Sequence, residues 1–279
     1  MARLLGYMAN RRDSLEDVLY QERAPAHADT GISEDDGSWG LGFYQSGEVL
    51  YKKQPLAAGE ALDWQEASAA IVSDCVIGHL RRPTVGPYRS ENSHPFRMRS
   101  WLFAHQGVIR PLASVHGPTR DEVRSTLPDF IRRNMRGQTD SELFFHLILS
   151  FLHDEGQLDN PDAPAEVVVQ AIRSSVALVR RYAQQSESSP VAQLGGLNLM
   201  LTDGKRLFAH RLGHPMGYVS LEGLHDPFTR RSRPVPEEGT LRCALLLGSV
   251  HELPERYTPL DDGEVITVSH DLSIHHHAA

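Results

Sequence analysis

Met1-Ala-Arg-Leu-Leu-Gly-Tyr-Met-Ala-Asn10 opens the chain. The apolar run Leu4–Leu5–Gly6–Tyr7–Met8 reads as a buried strand. It has no basic flank, long apolar core or spacer, so it is not expected to be a signal peptide. Chain ends are ordinarily the frayed part of a domain. A terminus that enters directly as core strand is therefore expected to hold its first residues in a fixed place. One chemistry needs that placement. In an N-terminal nucleophile, residue 2 becomes the first residue after Met removal, and its α-amine serves as the base. Residue 2 here is Ala, which carries no nucleophile.

The composition sets broad bounds. The chain has 279 residues, 40% of them hydrophobic and 23% charged, with a net charge of −8. That is an ordinary globular composition, long enough for one large domain or two small ones. No apolar run reaches the length of a membrane span, and the acidic balance argues against nucleic-acid binding. Cys75 and Cys243 lie in apolar strand-like runs and read as reduced core residues of a cytoplasmic protein. The fifteen histidines are scattered, and no pair has convincing zinc spacing. His275–His277 reads as part of a disordered or appended tail, residues 271–279.

Working outward from the first strand, residues 14–21 read as a short helix or turn and 22–37 as a polar loop. Trp39–Tyr44 and Glu48–Lys52 flank Gln45-Ser-Gly47, the pattern of a hairpin. Residues 60–72 look helical, 74–80 look like a buried strand, and Trp101–Ile109 like another. Thr119–Arg133 reads as one amphipathic helix. Thr139-Asp140-Ser141-Glu142 starts a second in capping-box form, and Asp162–Gln184 is a third. Gln185–Pro190 reads as a polar turn. Strands then return over 194–202, 206–212, 241–249 and 264–268, with a hairpin at Asp203-Gly204. Strands, then a block of helices, then strands, without βαβ alternation, predict an α+β fold in one domain over residues 1–270.

Polar and Gly-bearing clusters sit at element ends in four places: the N-terminus, His79–Thr84, His105-Gln106-Gly107 and Thr139–Glu142. Singly they are bland. Arg81 and Arg82 read as a surface pair, Gly107 as a turn glycine, Asp140 as a helix cap, and His94 and His105 as structural histidines. Together they resemble the class II glutamine amidotransferase domain of the N-terminal-nucleophile hydrolase superfamily. The stretches are RLLGY, GSWGLGFY, GHLRRPT, ENSHPF, LFAHQGVI, TDSELFF and LNLMLTDGKRLFAHR, in family order over most of the chain. The resemblance is to small stand-alone members, which include the γ-glutamyl hydrolase of the ergothioneine pathway.

The resemblance implies a four-layer αββα sandwich of two stacked, mainly antiparallel sheets. It implies that a Cys attacks the glutamine amide, releasing ammonia and leaving a γ-glutamyl thioester. It makes Arg81 the clamp for the substrate α-carboxylate and Asp140 the acceptor for its α-ammonium, with His79 and Thr84 also on the substrate. It makes Gly107 a backbone oxyanion donor. No metal or organic cofactor is implied. The implied ligand is glutamine or a γ-glutamyl compound. An ammonia-using synthase, fused or in trans, is a partner that some members have, and neither membrane nor nucleic acid is expected.

Two positions depart from the pattern. Ala2 stands where the family has Cys, and Gln106 where it has the oxyanion Asn. Three readings remain open on the residues alone. One is a ligand-binding protein without hydrolysis. The second is an active hydrolase in which Cys was exchanged for Ala2. The third is an enzyme using another nucleophile or an activated water, with His79, His94 and His105 as candidates.

Overall fold

The opening strand is the hinge of the architecture. The computed structural model describes residues 3–21, 37–81, 89–185, 195–223 and 239–279. β1 (Arg3–Ser14) lies mid-sheet, antiparallel to β4 (Val72–Arg81) on one side and β10 (Arg242–Gly248) on the other. The chain's first strand therefore pairs with a late one, which closes the fold end to end. With β2 (Gly37–Gln45), β3 (Glu48–Leu56), β9 (Met216–Glu222) and β11 (Thr258–Pro259), these form a seven-stranded sheet in the order β11-β9-β10-β1-β4-β2-β3.

The second sheet has six strands, in the order β13-β12-β8-β7-β6-β5. They are β5 (Phe96–Met98), β6 (Trp101–Gln106), β7 (Asn198–Thr202), β8 (Arg206–His210), β12 (Val265–Ser269) and β13 (Ile274–His277). Every pairing in both sheets is antiparallel.

Alternation along the strands sorts the core into layers. Leu4 and Met8 of β1 face Leu102, Ala104, Met200 and Ile266 of the second sheet, filling the space between sheets. Leu5, Tyr7 and Ala9 point the other way, onto α1 (Leu15–Gln21) and α2 (Trp64–Ala67). Trp101, Phe103, Leu199 and Leu201 pack under the apolar faces of the two long helices. Those helices, labelled below α6 (Asp140–Asp154) and α7 (Ala165–Gln184), make the fourth layer. The predicted αββα sandwich is the fold.

Several local expectations change. Within 60–72 only α2 forms a helix. The Asp63 carboxylate accepts from the Gln65 and Glu66 amides and so starts it there, and Ala70 takes a left-handed φ of 67°. Thr119–Arg133 is not one helix. It divides into α4 (Pro118–Thr126) and α5 (Asp129–Asn134), after the short α3 (Arg110–Ala113). Pro128 offers no amide hydrogen and forces Leu127 into extended backbone. The strand from Trp101 ends at Gln106 rather than Ile109. Strand β9 was not anticipated. The His275–His277 run is no disordered tail: it pairs with Val265–Thr267 as the edge strand β13. The readings for 22–36 and 186–190, together with Ala2, Arg82 and Thr84, fall outside the described residues.

The Asp203-Gly204 turn does join β7 to β8. Asp203 Oδ1 accepts the amides of Lys205 and Arg206, and Gly204 takes φ 90°.

Candidate functional site

The ends of three elements meet at one end of the space between the sheets. β4 delivers Arg81, β6 delivers Gln106 followed by Gly107, and α6 begins at Asp140. β1 begins beside them, with Arg3 opposite Leu80, the neighbour of Arg81.

On β4 the period of two puts Cys75, Ile77, His79 and Arg81 on one face. Cys75 and Ile77 belong to the layer between the sheets, so Arg81 stands at its rim, half-buried, and feels the charge of Asp140. His79 lies one step deeper. It is buried, with its ring centroid 4.1 Å from that of His94. Burial pushes the His79 imidazole down to about 3, and His105 and Arg81 push in the same direction. His94 is held well below the usual range for the same reason, and neither of its ring nitrogens has a hydrogen-bond partner among the described residues. The Trp39-Gly40 step of β2 explains how this stack fits. A Cβ at Gly40 would collide with the His94 carbonyl oxygen, so only glycine lets β2 pass.

On β6 the same alternation turns His105 toward the helices. His105 Nδ1 lies 3.0 Å from Ser141 Oγ, in the first turn of α6. Burial pushes His105 down to about 4, against the Asp140 carboxylate. The opposite face carries Gln106, which is buried and whose Oε1 finds no partner among the described residues. Gly107 has φ 141°, a backbone region essentially reserved for glycine, and a Cβ there would collide with the Gly196 carbonyl. Gly107→Ala is expected to cost at least about 2 kcal/mol of stability, from strain and overpacking together. A denaturant midpoint measured against the parent chain checks it.

Asp140 is more occupied than a simple cap. Its Oδ2 accepts the Ile109 amide at 2.7 Å, and its Oδ1 accepts the Ser141 amide at 2.9 Å and the Ser141 hydroxyl at 3.4 Å. A carboxylate has about four acceptor sites, so about one remains. These bonds tie the start of α6 to the segment that follows Gly107. Sequence reasoning missed the Ile109 contact, and no motif signals a backbone donor. Ser141 lies inside the TDSE motif but was assigned no role.

The cap itself is Thr139, whose Oγ1 accepts the Glu142 amide at 3.1 Å. Glu142 does not complete the capping box. Its two oxygens accept the amides of Arg136 and Gly137, each at 2.8 Å, because the turn before the helix brings that pair of N–H groups closer.

The buried histidines make stability pH-dependent. His79 is pushed down to about 3, and His105 and His146 to about 4. Below pH 6.5 or so the unfolded chain takes up protons that the folded chain refuses. Stability is therefore full above that pH and falls as pH drops toward 4. Each such histidine contributes up to about 1.4 kcal/mol per pH unit. Denaturant titrations at about pH 7 and about pH 5 should show the loss.

Arg81, Gly107 and Asp140 thus stand at neighbouring element ends, with Arg81 within electrostatic reach of the Asp140 carboxylate. Residues 1–231 match the sequence profile described as "Glutamine amidotransferases class-II". The chain belongs to that family. Among curated relatives, the γ-glutamyl-hercynylcysteine sulfoxide hydrolase of Mycobacterium tuberculosis is 28% identical over 112 residues, 40% of this chain and 48% of that protein. The chain spans about half the length of the first such relatives it matches.

Two solved structures share the amidotransferase fold. A glutamine aminotransferase class-II domain protein from Silicibacter pomeroyi superposes with TM-score 0.59 at 18% identity, covering 99% of this chain and 98% of that one. Glutamine phosphoribosylpyrophosphate amidotransferase from B. subtilis gives 0.55 at 12% identity, over 99% of this chain and 48% of that one. No helix among the described residues is long and apolar enough to cross a membrane.

Proposed function

We propose that this class II glutamine amidotransferase family member binds glutamine or a γ-glutamyl compound without hydrolysing it. In this reading Arg81 pairs with the ligand α-carboxylate and Asp140 accepts from the α-ammonium. Gln106 and the Gly107 amide line the position of the γ-carbonyl oxygen, and His79 backs the pocket from below. Thr84 is a further ligand contact carried over from the family motif. The observation that carries the reading is the convergence of Arg81, Gly107 and Asp140 at one sheet end, in a chain whose residue 2 is Ala.

The chemistry explains why binding and hydrolysis separate. Thioester formation needs a sulfur, and a methyl group supplies none. The cation and anion that orient a zwitterion are independent of that sulfur. Gln106 carries the amide of Asn on one further methylene, so its donor is displaced from the place an Asn side chain would reach. An ammonia-using partner subunit is consistent with the family, and the γ-glutamyl hydrolase relative suggests a γ-glutamyl amide as ligand.

Thermal unfolding tests the reading. L-Glutamine is expected to raise the Tm, and its α-methyl ester, which lacks the carboxylate, is expected to do so far less. Equal shifts, or none, would reject it.

A further inference from the structure

A cavity of about 450 Å³ opens between β3, β5 and the first two turns of α6. Arg81, Gln106, Gly107 and Asp140 do not line it. Its wall carries Lys53, Arg97, Arg99 and Arg136 against Glu91 and Glu142, a cationic excess in a chain of net charge −8.

Some of these charges are answered internally. Arg99 pairs with Asp159, and Glu142 is held by the two backbone amides described above. Others keep donors to spare. Lys53 Nζ donates to the carbonyls of Ser93 at 2.7 Å and Ser90 at 3.3 Å, two of an ammonium's three N–H groups. Burial lowers this ammonium to about 8, so it remains charged at neutral pH. Arg97 Nη1 donates to the Val49 carbonyl at 2.8 Å, and Nε reaches the Arg99 carbonyl at 3.4 Å, leaving part of the fork. Arg136 is exposed, and its guanidinium makes no bond to another described residue.

One buried ring nitrogen in the wall lacks a partner among the described residues. His146 is 1% exposed, and its Nδ1 lies 2.8 Å from the Glu142 carbonyl. A carbonyl only accepts, so Nδ1 carries the hydrogen. Burial keeps the ring neutral, pushing it down to about 4. Nε2 is then a bare acceptor, buried, with no donor among the described residues. Leaving such an acceptor unmet costs about 1–3 kcal/mol.

We propose that this cavity binds a hydroxylated phosphate monoester, its phosphate on Lys53, Arg97 and Arg136 and a hydroxyl donating to His146 Nε2. Three cations exceed what one carboxylate needs. A phosphate monoester, with three terminal oxygens and a charge of about −1.5 to −2, matches them. The volume leaves room for a small carbon skeleton beyond the phosphate. The site stands apart from the glutamine reading and does not depend on it.

Calorimetric titration of the full chain tests it with three probes: glycerol 3-phosphate, inorganic phosphate and glycerol. Glycerol 3-phosphate is expected to bind about tenfold or more tightly than inorganic phosphate, and glycerol not detectably. Arg136→Ala, at an exposed position, should weaken both phosphate ligands about tenfold. His146→Phe should erase the preference for glycerol 3-phosphate. If that variant does not fold, the di-O-methyl ether of glycerol 3-phosphate, which has no carbon-bound hydroxyl left to donate, should lose the same preference on the parent chain. No saturable binding of either phosphate ligand, or binding unchanged in Arg136→Ala, overturns the site. Equal affinity for the ester and inorganic phosphate overturns the hydroxyl contact.

Discussion

Ala2→Cys is expected to bring glutamine hydrolysis from background to a measurable rate, and Gln106→Asn added to it to raise that rate by a further ~10²–10³-fold. The first step restores the one atom the reaction cannot do without. The free α-amine left by Met removal has a reference pKa of about 7.7–8.0, so part of it is neutral at pH 7 and can take the thiol proton. Loss of a nucleophile costs on the order of 10⁶ in kcat where it has been measured in a protease. Its return into a retained frame is therefore the largest single gain on offer. The second step concerns geometry. One oxyanion donor contributes about 2.7–4 kcal/mol to the transition state, and the Gln106 amide sits one methylene too far along its side chain to deliver that in full. Glutaminase assays of the single and double variants check both steps. Silence in both, from folded protein, would mean that the reaction frame has been lost along with the sulfur.

The second large effect is on binding. Arg81→Ala is expected to weaken glutamine by about 2–5 kcal/mol, roughly 30- to 4000-fold. Removing one partner of a half-desolvated ion pair leaves the ligand carboxylate facing a site with no compensating charge. Arg81→Lys should recover only part, because an ammonium cannot make two parallel N–H bonds to a carboxylate. Asp140→Asn is a less clean probe. Asp140 also accepts the Ile109 and Ser141 amides, so its loss loosens the start of α6 together with the ligand contact.

Much of the fold was legible because its signals are local. The apolar run Leu4–Met8 and the Asp203-Gly204 turn each depend on a few neighbouring residues and formed as read, and of the two cap candidates at the start of α6 it is Thr139 that takes the Glu142 amide. Expectations changed where one residue outweighed a pattern. Pro128 cut an amphipathic helix in two, and Gly107 ended a strand three residues early. The strand Ile274–His277 could not be read, because a polar run becomes an edge strand only when a partner such as Val265–Ser269 lies alongside.

The candidate site divides in the same way. Arg81, Gly107 and Asp140 stood out as motif residues at element ends. The bond from Ile109 to Asp140, the Ser141–His105 contact and the cavity at His146 arise from distant segments meeting in space, and nothing in the local sequence encodes them.

The central claim is that the ligand frame outlasts the missing nucleophile. Calorimetric titration of L-glutamine into the parent chain and into Arg81→Ala, side by side, tests it most directly. Saturable one-to-one binding by the parent, lost or weakened at least 30-fold in the variant, is the predicted result. No heat in either, or identical isotherms in both, would contradict it.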